Sequence, residues 1–207
     1  MAALRSLPSS VVSDQLEAGG FVPGLRPLGD LRAGEPLAGP ALTVRTSPGD
    51  NLIVHHAIDL AREGEVLVID ADSVVDSAVM GEIVYRYAVS RGVAGVVIDG
   101  AVRDSSEIAR AAVPVFVRGV SPVRPGKDGS GEIRGTVTLS GVAVHDGDLV
   151  VGDADGLVVV PRGQAEVVLD AAQKALAQEP ERLAAAAEGR LDRSWIGERL
   201  QIELVDG

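Results

Sequence analysis

The sequence predicts an α/β fold, and three observations predict it. Val-rich runs that read as buried strands alternate with amphipathic stretches that read as helices. Hydrophobic residues make up 46% of the chain and aromatic residues 2%, so the core has to be built from Val, Leu, Ile and Ala, as in strands covered on both faces. Strand, helix and strand follow one another between positions 65 and 99, and such a unit pairs its strands in parallel through a right-handed crossover.

In chain order, Ser9 or Ser10 is placed to cap a short helix reaching Leu16, which Gly19 and Gly20 end. Positions 21–40 are rich in Pro and Gly and read as loop with short extended pieces; 41–44 is the first convincing strand. A turn at 48–51 leads into a helix carrying Leu52, His55, His56, Ile58, Leu60 and Ala61 and ending near Gly64. Positions 65–70 form a buried strand, and 71–80 a loop or ragged helix start. Ile83, Val84, Tyr87 and Ala88 recur at helical spacing within 81–91, and Gly92 ends that helix. A second buried strand, 95–99, runs into the loop 100–104, a short helix to Ala112 and a strand at 114–118. Positions 122–135 form a loop dense in Gly, Pro and charge. From Thr136 the texture changes to short strands split by tight turns at 145–148 and 153–156. Positions 164–178 read as an amphipathic helix, and 181–200 as a second, more polar helical stretch interrupted at Gly189 and Gly197. No repeat or linker divides the chain, which predicts one domain over 1–180 with a helical arm over 181–207.

The net charge of −11, with no cluster of Lys and Arg, argues against a nucleic-acid partner. The absence of cysteine removes disulfides, thiolate nucleophiles and Cys-based zinc sites, and fits a cytoplasmic protein. The N-terminus has no apolar core of a signal peptide, and no run approaches the ~20 apolar residues a membrane helix needs, so no membrane partner is expected.

The residues richest in chemistry are Gly81 and Glu82, at the start of one predicted helix, and Arg103 and Asp104, just past the strand that follows it. Ligands in open α/β sheets sit at the carboxyl ends of the strands. The helix containing Glu82 starts after the carboxyl end of the previous strand, so Gly81 belongs on the same sheet edge as Arg103. Two carboxylates, a guanidinium and the outward-pointing N–H groups of a helix start converge there. The alternative is an exposed charge pair worth ~0–1 kcal/mol and a Glu that favours a helix N-terminus.

Other candidates read as structure. His55 and His56 are adjacent on a helix and point about 100° apart, so they cannot chelate one metal together and take core or surface roles. Asp146, Asp148, Asp153 and Asp155 belong to turns, because the downstream Glu of a calcium loop is missing. The glycines at 129, 131 and 135 do not have dinucleotide-binding spacing. Trp195 in the polar tail suits an anchor against another subunit. The two lysines of the chain, Lys127 and Lys174, stand away from these motifs in sequence, which argues against a Schiff-base enzyme.

Twenty residues separate Glu82 from Arg103-Asp104, and this spacing resembles the acidic-x20-Arg-Asp signature of the class II 4-hydroxy-4-methyl-2-oxoglutarate/4-carboxy-4-hydroxy-2-oxoadipate aldolases, which belong with the RraA-like proteins named for a regulator of ribonuclease activity. PGDNL at 48–52, GEVLVID at 64–70, SRGVAGVVIDGAVRD at 90–104, PVFVRG at 114–119 and GDLVVGDADGLVVVP at 147–161 follow in that family's order. The resemblance implies a single domain of the swivelling β/β/α type seen in phosphohistidine domains. It implies retro-aldol cleavage of 4-hydroxy-2-keto diacids to pyruvate, or decarboxylation of oxaloacetate. It implies that Asp104 anchors a divalent cation, Mg²⁺ or Mn²⁺, mostly through waters. Glu82 stands where the family commonly has Asp and would hold a metal-bound water. Arg103 would pair with the keto or enolate oxygen, and the amides of Gly81, Glu82, Ile83 and Val84 would cradle the carboxylate of a small 2-keto acid. Glu188, in a short stretch resembling a family segment, would reach a neighbouring subunit's site within a homotrimer or homohexamer. The alternative the family offers is a regulator that binds a ribonuclease without catalysis; those members lack an Asp after the Arg, and this chain has Asp104. A methyltransferase name has been attached to relatives, but no S-adenosylmethionine loop is present here.

Overall fold

The computed structural model describes residues 6–17, 20–31 and 36–199. Gly19 and Leu200, to which helix ends are assigned above, and the outer parts of the domain and arm at 1–5 and 201–207 lie outside the described residues. The strands are β1 (Arg26–Pro27), β2 (Leu37–Thr46), β3 (Val66–Asp70), β4 (Ala78–Met80), β5 (Gly95–Val102), β6 (Val115–Val120), β7 (Gly131–Ile133), β8 (Thr136–Leu139), β9 (Val142–His145), β10 (Leu149–Gly152) and β11 (Leu157–Val160). The helices are α1 (Ser9–Ser13), α2 (Leu52–Asp59), α3 (Glu82–Ser90), α4 (Ser105–Ile108), α5 (Ala165–Ala187) and α6 (Trp195–Arg199).

The main sheet runs in the order β1-β6-β5-β3-β2-β10-β11, with β4 added to β5, β7 added to β2, and β8-β9 as a separate hairpin. Neighbours β2-β3, β3-β5, β5-β6 and β4-β5 are parallel, and the remaining pairs are antiparallel. The parallel core confirms the predicted α/β class. One short segment joins the two ends of this order: Phe21 bridges Val158 of β11, and Arg26 pairs with Val117 of β6. The sheet is thereby nearly closed into a barrel.

Strand alternation sorts side chains between packed layers. Val96 and Ile98 of β5 join Leu67 and Ile69 under Val54 and Ile58 of α2 and Tyr85 and Ala88 of α3. Val97, one residue out of phase, joins Val66, Val68 and Phe116 against Val137, Leu139 and Val144 of the hairpin. A third cluster seats Val168 and Ala172 of α5 with Val12 of α1 on Val151 and Val158. Each fully buried Val, Ile or Leu contributes about 1.5–3 kcal/mol of transfer free energy.

Several boundaries differ from the sequence reading. β2 begins at Leu37, four residues early, where Pro40 and Gly39 hide a strand. Residues 78–80 form β4, and β5 extends to Val102, so Arg103 and Asp104 stand at a strand end and not inside a long loop. The helix after Asp104 stops at Ile108, and the loop 122–135 contains β7. Ser9 caps no helix; its N–H and hydroxyl both donate to Asp153, at 2.7 Å each. The expected break near Pro180 is absent, since α5 runs through it to Ala187. Proline costs a helix interior ~3 kcal/mol through a lost hydrogen bond and a ring clash. Here residues 177–184 are exposed, and water can satisfy the freed carbonyl. Gly197 likewise lies inside α6, while Gly189 does end α5, with φ +68°. Among the described residues no helix is long and apolar enough to cross a membrane.

Candidate active site

Three parallel strands, β2, β5 and β6, deliver their following segments to one edge of the sheet, and β4 delivers a fourth. β4 pairs with β5 through Met80 and Val102, which sets Gly81 beside Arg103. The Arg103 N–H donates to the Met80 carbonyl at 2.9 Å, extending that pairing by one bond. The shared edge inferred for Gly81 and Arg103 is therefore present, produced by β4 and not by β3 directly.

Asp104 follows in the left-handed conformation, φ 54°, which Asp tolerates better than most residues. Its Oδ2 accepts the Glu82 N–H at 3.0 Å and lies 3.6 Å from Arg103 Nε. The side chains of Arg103 and Asp104 are 40% and 43% exposed, so both reach solvent. Gly81 makes this approach possible: a Cβ would stand 2.6 Å from Asp104 Oδ2 and 2.8 Å from Arg103 Nε, so both side chains would have to shift. Ile83 and Val84 complete the first turn of α3, where backbone N–H groups have no intrahelical acceptor.

These residues open onto a cavity of about 550 Å³ lined by Asn51, His55, Gly81, Ile83, Val84, Arg103 and the loop 124–128. A second cavity of about 380 Å³ lies on the other side of Arg103, against Asp104, Ser105, Val120 and Ser121. Gly81, Ile83, Val84 and Arg103 thus share the first cavity, and Arg103 and Asp104 the second. Glu82 is adjacent, but its carboxylate pairs with Arg86 Nε at 2.8 Å, one turn along α3. Glu188 lines neither cavity; it is exposed at the end of α5 and pairs with Arg190.

The structure also places residues that the sequence reading set aside. Lys127, remote in sequence, lies in the cavity wall with Arg124, and its Nζ is 3.3 Å from His55 Nε2. Burial and the Lys127 charge lower the His55 pKa, against the opposing pull of Asp59, so the ring is neutral at pH 7 and accepts from the ammonium. His55 therefore lines the cavity, beyond the core or surface role expected of it. The loop is held by Asp50, which is 6% exposed and accepts N–H bonds from Leu52 (2.8 Å), Asp128 (2.8 Å) and Gly129 (2.9 Å). Burial alone would raise its pKa; the three backbone donors and Lys127 outweigh it and hold the carboxyl below its ordinary value. A clue existed in the sequence: PGDNL at 48–52 combines a turn with an acceptor able to bind backbone, but its partners lie 78 and 79 residues away.

Among the described residues no group of three or more His, Cys, Asp or Glu could hold a metal ion. The donor set that does exist is one solvent-accessible carboxylate, Asp104, beside an open cavity. That set fits a hard cation which keeps most of its waters and takes further oxygens from a ligand, as Mg²⁺ does. It does not fit a zinc site of four protein ligands.

A family model described as RraA-like, Aldolase/RraA, matches residues 9–159. A protein of Halalkalibacterium halodurans with the provisional name 4-hydroxy-4-methyl-2-oxoglutarate aldolase is 38% identical over 178 residues, 86% of this chain and 84% of its own length. Among solved structures, an unusual member of the RNase ES inhibitor RraA family from Streptomyces coelicolor superposes with a TM-score of 0.76 at 26% identity, covering 88% of this chain and 96% of that one. The RNA-processing inhibitor RraA from Thermus thermophilis superposes with a TM-score of 0.62 at 29% identity, covering 68% and 84%.

Proposed function

The chain belongs to the RraA-like family, and from that premise we propose that it is a divalent-metal-dependent lyase that cleaves 4-hydroxy-2-keto diacids to pyruvate by retro-aldol chemistry and decarboxylates oxaloacetate. The observation that carries the reading is the close approach of Gly81 to Arg103 and Asp104, where guanidinium, carboxylate and helix-start amides meet between two cavities that share Arg103. The aldolase name of the Halalkalibacterium relative supports it.

In this reading the substrate's 2-keto carboxylate lies against the first-turn amides of α3, including Ile83 and Val84, an anion site made by unpaired N–H groups and the helix dipole. Cleavage passes the C4 hydroxyl proton to the water that Glu82 would orient, forms the C4 carbonyl, breaks the C3–C4 bond and leaves the electron pair on the C2 oxygen as an enolate. Protonation at C3 then gives pyruvate. Arg103 faces the oxygen where that charge develops, and a fixed cation preorganised there lowers the barrier most. Mg²⁺ or Mn²⁺ held at Asp104 would supply Lewis-acid polarisation of the keto oxygen. Lys127 and Arg124 add positive charge to the cavity wall, which suits the second carboxylate of a diacid. Lys127 donates to His55, and as an ammonium it acts as a point charge, not as an amine nucleophile. Glu82 would orient a water at the Asp104 side. Glu188 would serve a neighbour's site in a homotrimer or homohexamer, a role that its exposure on the arm permits. Purified protein assayed for pyruvate release on a panel of 2-keto acids, with Mg²⁺, Mn²⁺ or excess EDTA, tests the reading. Metal-independent turnover, or none on any member, would overturn it.

A second reading has its own support. Of the structural neighbours, one is an RNA-processing inhibitor and another an unusual member of an RNase ES inhibitor family. A ribonuclease-binding chain would inhibit RNA cleavage equally well as wild type and as Asp104→Asn.

A further inference from the structure

The side-chain amide of Asn51 has no part in the chemistry above, yet it holds an unusual position. Asn51 precedes α2 as its N-cap residue, but its side chain caps nothing. Asp50 takes that part, accepting the Leu52 N–H through Oδ1 at 2.8 Å. Asn51 instead lines the cavity at 3% exposure. Its backbone N–H donates to the Gly126 carbonyl at 3.2 Å, and its Nδ2 donates to the Val79 carbonyl at 2.9 Å. These two bonds seat it between the strand that ends at Gly81 and the loop that carries Lys127. The bond to Val79 also fixes the amide orientation, and Oδ1 is left buried with no hydrogen-bond donor, the one such side-chain atom among the described residues. An unpaired buried acceptor costs about 1–3 kcal/mol, and native proteins retain few of them.

The chemistry of the substrate class supplies the missing partner. The keto and carboxylate groups of a 4-hydroxy-2-keto diacid only accept hydrogen bonds at neutral pH. Its C4 hydroxyl is the group that donates. C4 also lies between the 2-keto carboxylate head and the distal carboxylate, as Asn51 lies between Gly81 and Lys127. We propose that Asn51 is a specificity-determining residue, whose Oδ1 accepts the C4 hydroxyl and selects hydroxylated 2-keto acids. The inference rests on the lyase reading, and it explains how one cavity would favour aldol cleavage over decarboxylation. A site built to bond a hydroxyl rejects the analogue lacking it, because its own polar atom is left unpaired.

Three compounds test it on the full chain: 4-hydroxy-2-oxoglutarate as the cleavable hydroxy acid, 2-oxoglutarate as the same skeleton without the hydroxyl, and oxaloacetate as a decarboxylation substrate. Wild type should bind the hydroxy acid about ten-fold or more tighter than 2-oxoglutarate. Asn51→Ala should reduce kcat/KM for hydroxy-acid cleavage at least about ten-fold more than it reduces oxaloacetate decarboxylation, and should abolish the preference over 2-oxoglutarate. Asn51→Ser, which keeps an acceptor, should recover part of the cleavage. Equal losses on all three compounds, or none, would overturn the assignment while leaving the lyase reading intact. If Asn51→Ala does not fold, the wild-type comparison decides: equal affinity for the hydroxylated and unhydroxylated acids overturns the proposal. A wild type inactive on every 2-keto acid defeats the lyase reading itself.

Discussion

Asp104 Oδ2 accepts the backbone N–H of Glu82 at 3.0 Å, so the residue proposed to hold the metal also ties the end of β5 to the first turn of α3. The substitution that tests its charge must therefore preserve its geometry. Asn keeps a carbonyl acceptor and tolerates the left-handed backbone that Asp104 occupies, whereas Ala would add a conformational cost of roughly 1–2 kcal/mol. Asp104→Asn is expected to stay folded, with a melting temperature within a few degrees of wild type, and to lose metal-stimulated pyruvate release. Asp104→Ala should lose the same activity with a larger drop in stability. Wild-type turnover in either variant, followed across a Mg²⁺ titration, would refute the metal assignment.

Arg103→Lys keeps the charge and loses the planar fork. Activity should fall by on the order of 10²-fold, the scale of removing one oxyanion-stabilising donor. Retention of turnover within a few-fold would reduce Arg103 to a surface charge.

Gly81→Ala places a methyl group 2.6 Å from Asp104 Oδ2 and 2.8 Å from Arg103 Nε. Both side chains are partly exposed and can move aside, so the fold should survive while kcat/KM falls at least about ten-fold, as expected for misplaced catalytic groups. Unchanged kinetics with unchanged circular dichroism would show that the close approach is irrelevant to the reaction.

The Asp50 carboxyl titrates below its ordinary value in the folded chain. A depressed folded pKa means that Asp50 contributes stability above its unfolded pKa of about 4 and loses it as pH falls through the lower folded value. Urea unfolding of wild type should therefore weaken as pH falls below about 4, and Asp50→Asn should flatten part of that slope. At pH 7 the variant should lose about 1–3 kcal/mol, since three N–H donors lose a charged acceptor. Matching slopes for the two proteins would exclude Asp50 as the anchor of the loop.

The arm is the candidate assembly element. Leu183, Leu191 and Trp195 are 62%, 43% and 53% exposed on segments that pack on little of their own chain. Truncation after Pro180 leaves Val168 and Ala172 buried on the sheet, so the domain should fold. The truncated chain should lose the proposed trimer or hexamer and the proposed activity together, as followed by light scattering and pyruvate release. A fully active wild-type monomer at micromolar concentration would overturn both the assembly and the shared role of Glu188.

Local pattern was enough to read β3, α3 and the core of β5 from sequence, because Val-rich runs and helical spacing are local signals. Chain direction then placed Gly81 beside Arg103. β4 escaped notice because three residues after a turn-rich stretch carry no periodicity. Lys127 and His55, which the sequence places away from the site, differ for another reason. The loop that carries Lys127 is shaped by Asp50 from 78 residues away, and no pattern within positions 122–135 records that bond. Asn51 was read as part of a turn, and its unpaired oxygen exists only once Val79 and Gly126 have closed around it.

The segment from Phe21 to Arg26 has a consequence outside catalysis. An outer strand with unpaired N–H and C=O groups is a template on which another chain can add a strand, and exposed edges of Val-rich strands are prone to aggregation. Here Phe21 bonds to β11 and Arg26 to β6, so the two strands that would otherwise end the sheet are each partly covered by the chain itself. A sequence that is nearly half hydrophobic can thereby carry a wide, Val-rich sheet and still discourage its copies from stacking edge to edge.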